Sequence, residues 1–281
     1  MSFFIIRGGF FGFEYTYKVF WILVALAACI YDWRKNKRRD YFWIFLIGSF
    51  LYIGAEVGMF FSGARTFTDR FIFGIDISNL HWFTIPVAAI ADVPVIAVFC
   101  LFIGDRLMNK ETRKAGWIFF SLYMIGKNVI QYAVLAILGY KFTSIDVGNP
   151  DIFARRDMLD LATVFSIAGM VVLTIVWLFF ASKDARKRVL FMFLMTVAFM
   201  STWSLGEWLT GQRWIETGAD PTWTLAIPAY QFVFFAYDIV VEMGLFTLSF
   251  LAILYIFRSI RGRLRKDISE SKTVEVTNET G

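Results

Sequence analysis

The chain has 281 residues, 58% hydrophobic and 18% charged, with a mean hydropathy of +0.60. A soluble domain of this length has too little interior to hide so much apolar surface, so the composition excludes a soluble enzyme and requires a polytopic membrane protein. The net charge of +5 does not signal nucleic acid, because the basic residues form short clusters beside apolar stretches rather than one surface stripe.

Taken in chain order, seven spans of about 20 residues or more fit a bilayer, the seventh longer than a bilayer needs. They lie at 17–33, 41–63, 82–104, 116–139, 158–181, 189–211 and 226–257. Met1–Tyr17 lacks the basic, apolar and small-residue segments of a cleavable signal. The links after the first, third, fifth and seventh spans are basic: RKNKRR (34–39), DRLMNKETRK (105–114), KDARKR (183–188) and RSIRGRLRK (258–266). The opposite links, 64–81, 140–157 and 212–225, are longer and less basic. The positive-inside rule places the N-terminus outside and the C-terminus in the cytoplasm. The expectation is an all-α, multi-pass bundle over 1–257 with a basic, disordered cytoplasmic tail over 258–281.

Turns are expected at Asn149-Pro150 and Asp220-Pro221. Pro86 and Pro94 in the third span each remove a backbone donor and predict a kink around Asp92. Two stretches echo one another: IGAEV (53–57) with IGKNV (125–129), and GMFFSGAR (58–65) with GEWLTGQR (206–213).

Cys29 and Cys100 both fall inside spans and make no CxxC or Cys/His pattern, so neither an extracellular disulfide nor zinc is expected. The single histidine, His81, leaves no set for a histidine-rich di-iron site or a bis-histidine haem. No metal and no cofactor are expected.

The informative residues are the polar ones inside the spans. Glu56, Asp92, Lys127, Asn128, Gln131, Asp160, Ser201, Ser204, Glu207, Gln231, Asp238 and Glu242 are distributed over six of them. Some fit a bland role: Asp160 and Glu207 facing water, His81 at the interface, Arg65 and Arg213 meeting headgroups or outer acids, Lys127 paired or snorkelling. Glu56, Asp92 and Asp238 carry the largest burial cost and are the expected catalytic residues. Asn128, Gln131, Trp203, Glu207 and Glu242 are the expected substrate-binding residues around them. A buried acid that keeps its proton can donate it to a weak base, and aromatic faces stabilise the cation that results. With 33 Phe, 10 Trp and 11 Tyr, such a chamber would be aromatic. This chemistry suits acid-initiated cyclisation of an isoprenoid alkene or epoxide that enters from the lipid.

With Glu56 in IGAEVG, Asp238 in FFAYDIVVE and the third-span stretch WFTIPVAAIADVPVIAVF, the chain resembles the heptahelical integral-membrane terpene cyclases of the paxilline and meroterpenoid type. That resemblance implies seven spans, essential acids in the second and seventh, and a lyase or isomerase activity on a polyprenyl substrate. The sequence departs from the pattern at Ala55, where a tryptophan is expected, and at Val241, where a tyrosine is expected. A second likeness is to microbial rhodopsins, through YDIVVEMG (237–244) and FTIP (83–86), but Glu242 stands in the place of the retinal lysine. A retinal-free opsin-like protein and a proton-coupled transporter or receptor therefore stay open as alternatives.

Overall fold

The computed structural model describes residues 3–8, 14–67, 70–130, 133, 137, 152–181, 183–209, 213–217, 222–225, 227–239 and 249. Most of these are helical. Helix α1 (Glu14–Asn36) ends with Arg34 and Lys35, cations that complement its negative C-terminal dipole. The chain reverses within three residues through Lys37, whose φ of 55° is a left-handed turn, and enters α2 (Asp40–Phe61). Gly63, at φ 76°, ends that helix in the conformation glycine adopts without steric cost.

The third span is broken at Asp92, as its two prolines predict. Helix α3 (His81–Ala91) stops there, and α4 (Val93–Met108) restarts with Pro94 in its first turn. Asp92 itself has φ −82° and ψ −103°, outside the helical basin. Helix α5 (Arg113–Met124) passes into a π-helical turn over Ile125–Ile130. Helix α6 (Leu161–Phe180) is capped by Asp160, whose Oδ1 accepts from the Ala162 amide at 2.8 Å. Helices α7 (Lys183–Leu209) and α8 (Pro228–Ala236) follow.

Among the described residues, five helices are long and apolar enough to cross a membrane: Tyr15–Asn36, Asp40–Phe61, His81–Met108, Leu161–Phe179 and Ala185–Leu205. The expected fourth and seventh spans are described only to Ile130 and Ile239 as continuous stretches. The third span is the axis of the bundle: 89% of its apolar window is buried, against 17–39% for the other four. Helix α4 packs against α2, α5 and α7, and its backbone approaches α7 so closely that a Cβ on Gly104 would sit 3.3 Å from the Met192 nitrogen. Beside it Phe99, Tyr123 and Phe199 stack at 4.4 and 4.9 Å, with Trp21 edge-on to the first two.

The all-α expectation needs one correction. The segments expected outside the membrane form a five-stranded antiparallel sheet, in the order β2-β5-β1-β6-β7. Its strands are β1 (Phe3–Gly8), β2 (Arg65–Phe67), β5 (Ile152–Asp157), β6 (Arg213–Thr217) and β7 (Thr222–Leu225). A separate hairpin of β3 (Phe71–Ile72) and β4 (Ile75–Asp76) turns through Phe73 and Gly74, both at positive φ. The strands pair across large sequence separations, as Ile5 with Ile215 does, and such pairing leaves no local periodicity to read. Asn149-Pro150 and Asp220-Pro221 lie outside the described residues, although β6 and β7 pair antiparallel on either side of the second.

Candidate functional site

Glu56 lies near the sheet-side end of α2, and its side chain is fully buried. A carboxylate there requires a charge partner. The turn at Ser62–Ala64 leads straight into β2, and its first residue, Arg65, returns its side chain to the helix. Arg65 Nε lies 3.0 Å from Glu56 Oε2. The same guanidinium reaches the break in the third span, with Nη2 3.8 Å from Asp92 Oδ2. Lys18 of α1 closes the row, donating from Nζ to Asp92 Oδ1 at 2.8 Å. Two acids and two bases thus alternate as Glu56–Arg65–Asp92–Lys18. The Asp92 side chain is the most open member at 22% exposure; the other three stand at 0–9%.

The helix break makes this row possible. At the break, Pro94 lacks the amide that would meet the Ile90 carbonyl, so polar backbone lies next to Asp92 in the ion row. On the sheet side, buried Arg70 donates from Nη1 to Thr84 Oγ1 at 2.6 Å and meets His81 Nδ1 at 2.9 Å. With Arg70 as donor, His81 is the tautomer protonated on Nε2. Burial lowers the pKa of Arg70, opposed by nearby Tyr15.

A second polar locus lies deeper, against α7. The π-helical turn carries Lys127 into the core, where its ammonium sits 5.8 Å from the Trp21 ring, 5.6 Å from Phe199 and 5.4 Å from Trp203. The next residue of α7, Ser204, donates to Asp238 Oδ2 at 3.0 Å, and Asp238 is buried. Trp203 faces Lys127 and Asp238 is bonded to Ser204, while Glu56 and Asp92 are joined through Arg65. The side chains of Asn128 and Glu207, and all of Gln131 and Glu242, lie outside the described residues. Among the described residues, no three His, Cys, Asp or Glu side chains gather as metal ligands do.

The bundle end opposite the sheet holds a third cluster. Asp105 accepts from Arg188 Nε at 2.7 Å and Nη2 at 2.8 Å, from Arg38 Nη2 at 2.6 Å and from Tyr41 Oη at 2.7 Å. Arg188 also reaches Asp40 at 2.9 Å, and Arg106 pairs with Asp32 at 3.2 Å. Burial alone would lower the pKa of Arg38, but Tyr41, Asp105 and Asp40 outweigh it, and the net shift is upward. Three arginines and three aspartates balance here, which suits a structural clamp tying α1, α2, α4 and α7.

Sequence reasoning named Glu56, Asp92 and Asp238 from their burial cost, and placed Arg65 with headgroups or outer acids. It missed Lys18, which reads as an interfacial cation at the start of an apolar helix, and the three inner aspartates, which are masked by the cations around them. No family model, no curated protein and no solved structure matches this chain.

Proposed function

We propose that the chain is a seven-span membrane isoprenoid cyclase that protonates a polyprenyl alkene or epoxide, with its N-terminus outside and its C-terminus in the cytoplasm. The topology is supported by the sheet. Strands from the N-terminus, from the segment after α2, from the segment before α6 and from the segment after α7 hydrogen-bond to one another, so all four lie on one side. The return of the chain to the sheet at β5 after the third span, and the start of α8 directly after β7, both fit the proposed fourth and seventh crossings.

One observation carries the functional reading: two acids expected on separate spans, Glu56 and Asp92, meet at one guanidinium beside a helix break. The partners suggest a division of roles. Asp238, the buried acid of the seventh span, is assigned proton delivery as the partner of Glu56 in the acid–base pair. Glu56, balanced by Arg65, suits proton acceptance, and Asp92 positions the shared arginine. Protonation of the substrate creates a carbocation, a neighbouring alkene closes the ring by donating its π electrons, and loss of a proton ends the sequence. Trp21, Phe199 and Trp203 already surround one cation and supply the aromatic faces that such an intermediate needs.

The test is conversion of a polyprenyl alkene and its terminal epoxide by purified protein in nanodiscs, followed by mass spectrometry. Glu56→Gln and Asp238→Asn should fold and lose about 10²–10⁴ in rate. Near-normal product from both variants would end the proposal. A second reading, a proton-coupled transporter, is favoured by the broken helix with ionised groups at the break. Substrate-driven pH change in sealed proteoliposomes, with the substrate recovered unaltered, would select it. A visible absorption band in the purified protein would instead indicate a bound pigment, which Glu242 in the place of the retinal lysine argues against.

A further inference from the structure

Helix α5 presents an exposed, largely apolar face with two cations at one end. Arg113, Lys114, Trp117, Ile118, Ser121 and Leu122 line an open groove of about 600 Å³. The order of residue types along it is cation, tryptophan, then aliphatic side chains. The apolar part continues through Ile125 and Val129, both exposed. From Lys114 to Val129 the helix rises about 20 Å, enough for an acyl chain within one leaflet of a hydrocarbon core about 30 Å thick. The cationic end is fixed in place. Arg113 Nε donates to the Leu107 carbonyl at 3.1 Å, which orients the guanidinium, and no acceptor among the described residues meets its terminal nitrogens. By contrast α6, whose exposed face is equally apolar, carries no Lys or Arg along its length.

We propose that this groove binds one anionic phospholipid, with its phosphate against Arg113 and Lys114 and an acyl chain along Trp117, Ile118 and Leu122. The charge order selects this occupant. A zwitterionic lipid brings its own ammonium toward the two cations, whereas a phosphatidylglycerol headgroup brings a single negative charge that the terminal nitrogens of Arg113 can meet with two parallel hydrogen bonds. Trp117 lies one turn from that headgroup, at the depth tryptophan favours. The site is independent of the cyclase reading, since it shares no residue with the ion row or with the locus at Asp238.

The full chain, exchanged into nanodiscs of equimolar phosphatidylglycerol and phosphatidylcholine and released into mild detergent, is weighed with its retained lipid by native mass spectrometry. The wild type should retain phosphatidylglycerol over phosphatidylcholine by about tenfold, given the attraction of two basic groups. The R113Q/K114Q double variant should lose that preference, and K183Q/K187Q, which removes two cations elsewhere on the same membrane face, should keep it. Equal retention of both lipids by the wild type, an unchanged preference in R113Q/K114Q, or equal losses in both double variants would each overturn the proposal. Should R113Q/K114Q fail to fold, the Trp117 emission, taken as the difference between wild type and Trp117→Phe, decides. Brominated phosphatidylglycerol should quench it more than brominated phosphatidylcholine, and equal quenching would refute the site.

Discussion

Arg65 is the residue whose removal the structure constrains most sharply. Its Nε stands 3.0 Å from a Glu56 carboxylate that is fully buried, and its own side chain is 8% exposed. At that distance the attraction is about 5.5 kcal/mol at an effective dielectric constant of 20. Arg65→Met removes it and takes this cation away from a buried carboxylate, a change that typically costs about 3–5 kcal/mol. Asp92 loses little, because Lys18 still holds it at 2.8 Å. The cost therefore belongs to Glu56, and neutralising Glu56 should recover it. In the Arg65→Met/Glu56→Gln double variant a neutral amide replaces the stranded charge, and most of the lost stability should return. Unfolding is readable through Cys29 and Cys100, both free and buried, whose thiols become accessible to a fluorogenic maleimide only as the bundle opens. A thermal ramp on the wild type, the two single variants and the double variant gives the coupling energy. Destabilisations that add to within about 0.5 kcal/mol would show that the two side chains do not interact and would refute the ion row as drawn.

Three further outcomes follow from the same coordinates. Asp105→Ala removes the carboxylate shared by Arg188 and Arg38, with Asp40 still 2.9 Å from Arg188, and should destabilise by about 3 kcal/mol, whereas Arg38→Gln, whose side chain is 40% exposed, should cost about 1 kcal/mol; the same thiol assay ranks them, and the reverse order would exclude the clamp. Gly104→Val forces branched carbons against the Met192 backbone, 3.3 Å from an ideal Cβ, and should abolish monodisperse expression while Gly104→Ala only lowers the melting temperature; normal expression of the valine variant would show that α4 and α7 are not in close contact. A reporter fused after Lys272 should be cytoplasmic, and a signal from the far side of the membrane would invert the topology.

Much of the helical architecture was legible because each signal is local. A run of about 20 apolar residues reads as a span whatever its neighbours do, and a proline removes its donor wherever it sits. The break at Asp92 was therefore available from Pro86 and Pro94 alone. Glu56 and Asp238 were visible for a similar reason, since the cost of a buried charge attaches to the residue itself. What could not be read was pairing. Whether Glu56 would meet a lysine, an arginine or another acid depended on where β2 returns to the bundle, and β2 is positioned by β5, whose residues come some 90 positions later. The sheet was missed for that reason, and with it which acids Arg65 meets, here Glu56 and Asp92. Lys18 was missed because a single cation at a helix mouth looks interfacial until the partner helix is known.

The inner aspartates show why the two ends of the bundle belong to one argument. Asp32, Asp40 and Asp105 flank basic links, so a hydropathy reading absorbs them into the links and counts the surplus positive charge. In the fold they neutralise Arg38, Arg106 and Arg188, so only part of the basic cluster is left to contact lipid. Helix α4 joins this balanced layer to the other one. Asp92 precedes its first residue and belongs to the row with Arg65 and Lys18; Asp105 lies in its last turn and belongs to the clamp with Arg188. The 13 residue steps between them span about 20 Å of buried helix, with Gly104 seated against α7. A rotation of α4 by one residue would swing each aspartate about 100° away from its cations, breaking both layers at once. The ion pairs at its two ends therefore act together to fix the rotational setting of the central helix, a specificity that its uniformly apolar middle cannot supply.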